Sequence, residues 1–125
     1  MSVLLSAASC LAWAAQACGA ADAGALVAEA EADDRPCTEE MFLPYLSGER
    51  TPHNDPHARG VLFGLSHDST RARITRAVME GVALAFRDGL DALRHSGSSI
   101  GSISAIGGAA RSRFWGPLLA SALQA

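Results

Sequence analysis

The chain has 125 residues, of which 49% are hydrophobic and 18% charged, a composition typical of one globular domain. Its formal net charge is −3, and it has no run of lysine or arginine interleaved with aromatic residues. Those features argue against a general nucleic-acid or anionic-membrane binder. Cys10, Cys18 and Cys37 show no CxxC spacing, so we predict reduced thiols rather than a disulfide framework or a zinc site.

The first quarter of the chain predicts two helices. Small and apolar residues recur at helical spacing from Ser2 to about Cys18, and no basic residue precedes this run. Trp13 and Gln16 also interrupt it, so we predict a buried amphipathic helix rather than a signal peptide or membrane anchor. Asp22 is expected to cap a second helix that ends at about Ala32.

Two short apolar runs and a loop occupy the middle of the chain. Phe42–Leu46 contains a proline, which predicts an edge strand or an extended segment. Ser47–Gly60 is rich in proline and glycine, and it predicts an ordered loop with several turns. Val61–Leu65 is a second candidate strand, and we expect it to pair with the first.

A long helix is predicted from an N-cap at Asp68, Ser69 or Thr70 to about His95. One face carries only small residues at four-residue steps: Ala77, Gly81, Ala85 and Gly89. Because glycine weakens a helix by about 1 kcal/mol relative to alanine, this face predicts the close approach of another element. The basic residues of the helix are predicted to face solvent: Arg73, Arg76, Arg87 and Arg94.

The end of the chain predicts a strand, a glycine turn and a helix. Ile103–Ile106 is expected to be a buried strand, and a final helix is expected over about Ser112–Leu123. Glycines at Gly107 and Gly108 would let backbone approach a ligand, and the helix start would favour a phosphate or the sugar and adenine of a nucleotide. The turn matches neither GxGxxG nor a P-loop, so a tight turn without a ligand remains the alternative.

Several other residues suggest chemistry but have a structural interpretation. Four potential metal ligands lie close together in sequence: His53, Asp55, His57 and His67. Prolines interrupt this segment, so the histidines need not converge, and we predict that Asp55 forms a turn. Glu49 and Arg50 are predicted to brace the loop by ion pairing, with a ligand role as the alternative.

The remaining acidic and aromatic candidates also have both a possible chemical role and a structural interpretation. Asp88 and Asp91 could serve as general bases, but on a helix rich in arginine they are predicted to be surface charges. Phe114 and Trp115 could stack on a base, although core packing is the stronger prediction. Ser112 either contacts the nucleotide or only caps the last helix.

Three segments together resemble the FGGY carbohydrate kinases, and most closely their xylulokinase branch. Residues Leu5–Ala15, LSAASCLAWAA, resemble a helix of that family, and FLPYLSGERTP, beginning at Phe42, leads to ARGVLFGL at Ala58–Leu65. Gly107–Ser112 resembles the GGGARS-type turn of these kinases. The block Phe42–Gly81 is the most specific part of the resemblance.

The resemblance implies an α/β fold, an incomplete ribonuclease-H-like (actin-like ATPase) domain that is mostly helical with a few short strands. Residues 1–125 would be part of the C-terminal FGGY domain, with no complete second domain. It also implies ATP and Mg²⁺ as cofactors, D-xylulose as the favoured substrate and a cytoplasmic enzyme. Five residues would bind the nucleotide: Gly107, Gly108, Ala109, Arg111 and Ser112.

In this family the catalytic base precedes the region matched here, so we expect no catalytic residue in this chain and no activity from it alone. We also expect self-association or a missing N-terminal part, because the predicted strand Ile103–Ile106 would otherwise keep bare edges. Two alternatives remain open. One is a non-catalytic actin-like nucleotide-binding or assembly module, and the other is an FGGY kinase for glycerol, gluconate or ribulose.

Overall fold

The computed structural model describes residues 5–33, 39–107 and 112–124. Within those ranges the elements are α1 (Ala8–Ala17), α2 (Ala23–Ala32), β1 (Met41–Leu43), β2 (Val61–Phe63), α3 (Arg71–His95) and α4 (Trp115–Leu123). The long helix α3 is central and contacts the other three helices and β1. The strands form one antiparallel pair with Phe42 opposite Leu62, which confirms the predicted pairing.

Side-chain caps fix the starts of α2 and α3. A carboxylate oxygen of Asp22 accepts a hydrogen bond from the Ala25 N–H at 2.8 Å, and Thr70 Oγ1 accepts one from the Arg73 N–H at 3.3 Å. Both caps were predicted. Helix α1 begins at Ala8 rather than near Ser2, because apolar spacing alone does not determine where a helix starts.

The small-residue face of α3 receives the backbone of β1. A Cβ atom added to Gly81 would overlap the carbonyl oxygen of Phe42. The Phe42 ring is buried and stacks on Trp13 with 5.6 Å between ring centroids. Glycine is therefore the residue that lets this strand lie directly on the helix, as the sequence pattern predicted.

The buried Cys10 thiol lies between α1 and the segment that follows β1. Its Sγ is 3.7 Å from the carbonyl oxygens of both Ser6 and Pro44. Burial raises the pKa of this thiol to about 11. Cys10 and the half-buried Cys18 are both free thiols.

The predicted buried strand Ile103–Ile106 is wrong. Residues 98–106 have no regular secondary structure, and Ile103 and Ile106 are 41% and 93% exposed. A strand requires a neighbouring strand for its backbone groups, and among the described residues the only sheet is the β1–β2 pair, to which this segment does not belong. Among the described helices, none combines the length and apolar character needed to cross a membrane.

Candidate functional site

The turn before α4 is open at the one glycine that the structure describes. Gly107 has φ +106°, a conformation that favours glycine, and an added Cβ would have no atom within 4 Å. Three of the predicted nucleotide-binding residues, Gly108, Ala109 and Arg111, lie outside the described residues. The structure therefore places only Gly107 and Ser112 of the predicted set.

Ser112 caps the last helix. Its Oγ accepts hydrogen bonds from the N–H groups of Phe114 at 3.2 Å and Trp115 at 3.1 Å. Helix α4 begins at Trp115, three residues later than predicted. Of the two roles that the sequence left open for Ser112, capping is the one that these contacts support.

Glu31 is the residue at this turn that sequence reasoning missed. Ser112 Oγ donates to a Glu31 carboxylate oxygen at 3.2 Å, across 81 residues of sequence. The carboxylate thus occupies surface near the start of α4, where the helix favours negative charge. A phosphate at the same place would meet like charge, whereas a sugar hydroxyl could donate to the carboxylate.

The aromatic pair at the start of α4 belongs to the packing of the fold. Trp115 is 3% exposed and contributes to the main hydrophobic cluster, as predicted. Phe114 is partly buried, and the Arg76 guanidinium lies 5.1 Å from its ring centroid. The Trp115 Nε1–H has no hydrogen-bond partner among the described residues. Neither ring is available for stacking on a base without disturbing these contacts.

The loop after β1 is held by its own hydrogen bonds. Glu49 and Asp55 exchange backbone bonds of 2.9 and 2.8 Å, and Asp55 Oδ1 accepts from the His57 N–H at 2.9 Å. The predicted turn at Asp55 is confirmed. His53 Nε2 lies 3.0 Å from the Tyr45 hydroxyl, and in residues 5–33, 39–107 and 112–124 no three acidic, histidine or cysteine side chains form a metal-binding group.

Glu49 is buried, but it does not form the predicted ion pair with Arg50. One carboxylate oxygen accepts the backbone N–H of Arg50 at 2.7 Å. The other is buried and has no hydrogen-bond partner among the described residues. The Arg50 side chain is exposed.

A buried ion pair joins the segment before β1 to α3. Glu40 accepts from Ser69 Oγ at 2.6 Å and from Arg73 Nε at 3.2 Å. Burial alone would raise the pKa of Glu40, but these hydrogen bonds and the Arg73 charge outweigh it and lower the pKa. The prediction that Arg73 faces solvent is wrong, since its side chain is 14% exposed and braces the fold. The prediction that Arg76 faces solvent is also wrong, since its side chain is 18% exposed and pairs with Glu80.

The charges nearer the C-terminal end of α3 lie closer to the surface. Arg87 Nε donates to both carboxylate oxygens of Asp91 at 3.0 Å, and Arg94 lies 3.7 Å from the same carboxylate. Asp91 is therefore the paired surface charge that was predicted. Asp88 is exposed. The pKa of Tyr45 is raised mainly by burial of its ring, and the negative charge of Asp88 adds to this effect.

Comparison with known proteins gives a consistent result. The model for the FGGY family of carbohydrate kinases, C-terminal domain, matches residues 3–125. The xylulose kinase of Escherichia coli (strain K12) is 51% identical over 120 residues, which are 96% of this chain and 25% of that protein. A glycerol kinase of Rhodopirellula baltica is 44% identical over 75 residues, 58% of this chain and 14% of that protein.

The fold matches solved kinases as well. A crystal structure described as a xyloylose kinase from Brucella ovis superposes with a TM-score of 0.92 at 46% sequence identity. The match covers 99% of this chain and 26% of that one. The chain thus spans about a quarter of the length of the relatives that it matches.

Proposed function

Because this chain belongs to the FGGY family of carbohydrate kinases, we propose that the whole polypeptide phosphorylates D-xylulose to D-xylulose 5-phosphate with ATP. The observation that carries the proposal is the 51% identity to a xylulose kinase over 96% of the chain. The glycerol kinase match extends over only 58% of it. Mg²⁺ would neutralise the phosphates during transfer, as phosphoryl transfer requires.

In this proposal the chain supplies the nucleotide side of the enzyme. The residues that would receive ATP are Gly107, Gly108, Ala109, Arg111 and Ser112. Open space at Gly107 supports the fit, since a ligand can approach the backbone there. The Glu31 carboxylate beside Ser112 favours the ribose and adenine at this turn over the phosphates. The phosphates would then be held by other parts of the polypeptide.

Residues 1–125 would form part of the C-terminal domain and would not catalyse the reaction alone. The general base that takes the proton from the sugar hydroxyl would come from another segment of the polypeptide. The exposed Ile103 and Ile106 support this division, because a surface of that kind calls for a covering segment or self-association. A cytoplasmic location fits a kinase with free thiols and an ATP requirement.

A coupled assay of the whole polypeptide tests the substrate. D-xylulose, glycerol, gluconate and D-ribulose would be compared at saturating MgATP, with residues 1–125 alone as the inactive control. We expect kcat/KM for D-xylulose to exceed the others by roughly a hundredfold, a difference of about 2.7 kcal/mol in transition-state binding. A preference for another sugar would move the protein to another branch of the family. ADP binding without any phosphorylation would instead indicate a non-catalytic module.

A further inference from the structure

We draw no further inference here: the strongest candidate, the apolar groove beside Trp115 between α1, α4 and residues 103–106, carries none because nothing in the structure shows what covers it.

Discussion

Residues 39–81 and residues 98–107 show opposite kinds of structure. In the first region Glu40 is neutralised by Arg73, and Phe42 lies on α3 at Gly81 with no space for a methyl group. In the second, Ile106 is 93% exposed and Gly107 borders open space. The segment that resembles the family most specifically is therefore scaffold. The segment proposed to receive the ligand is the open one.

This difference separates two reasons why a sequence block can be distinctive. A block such as 39–81 is restricted because each side chain has a neighbour that leaves it no alternative size or charge. A ligand-binding turn is restricted by a molecule that the isolated chain does not contain. Substitutions in residues 39–81 should therefore change the stability of the fold. Substitutions in the proposed ligand-binding turn should instead change the affinity for the ligand.

The largest effect is expected from breaking the buried ion pair. Glu40→Ala leaves Arg73 largely buried without its carboxylate, and we expect a loss of about 3 kcal/mol in the free energy of unfolding. Glu29→Ala is the matched control, because Glu29 pairs with Arg71 on the surface. Urea titration of the whole polypeptide measures both. Equal losses in the two variants would contradict the contrast between buried and exposed pairs.

The pH dependence of stability tests the same ion pair between Glu40 and Arg73. The folded pKa of Glu40 lies below its ordinary value of 4.5, so the unfolded chain binds this proton first as the pH falls. The stabilisation is complete above the ordinary value and disappears as the pH falls through the folded pKa. Glu40→Gln should therefore show a shallower loss of stability below pH 4.5. Parallel curves for the two proteins would exclude this contribution.

A smaller loss is expected where β1 meets α3. Gly81→Ala gains helix propensity of about 1 kcal/mol, but its methyl group would overlap the Phe42 carbonyl. Moving the strand should cost more than that gain, with a net destabilisation of about 2 kcal/mol. Gly116→Ala in α4 has no atom within 4 Å and should be neutral or stabilising. Thermal unfolding of both variants decides, and a Gly81→Ala protein as stable as wild type would refute the close approach.

The second region should respond in affinity with little change in stability. Gly108→Asp introduces a carboxylate into the proposed nucleotide turn, and we expect ADP binding to weaken about tenfold, or about 1.4 kcal/mol. Gly101→Asp is the control, since Gly101 is exposed with no atom within 4 Å of an added Cβ. Isothermal calorimetry on the whole polypeptide gives both constants. Unchanged affinity in Gly108→Asp counts against this turn as the nucleotide site.

Local signals made the scaffold predictable. Asp22, and Thr70 as one of three candidates, could be identified as caps because an N-cap acts within three residues of itself. Gly81 could be identified as a contact point because small residues at four-residue steps define a helix face before any partner is known. The pairing of β1 with β2 followed from two apolar runs on either side of a turn-rich loop.

Distant contacts were not predictable from the same reasoning. Arg73 looked like a solvent-facing helix residue because its partner, Glu40, lies 33 residues earlier and carries no pattern of its own. Glu31 approaches Ser112 across a still longer separation. Ile103–Ile106 has the composition of a strand, but strand formation depends on a neighbour that the described chain does not supply.

The position of Cys10 allows its thiol to report on local opening between the first helix and the strand pair. A thiol with a pKa near 11, enclosed between α1 and Pro44, cannot react with an alkylating reagent while that contact is closed. Cys18 is only half-buried and provides an internal reference for reagent access. The ratio of the two labelling rates, read by peptide mass spectrometry, would measure how often the first helix lifts away from the strand pair in the native state.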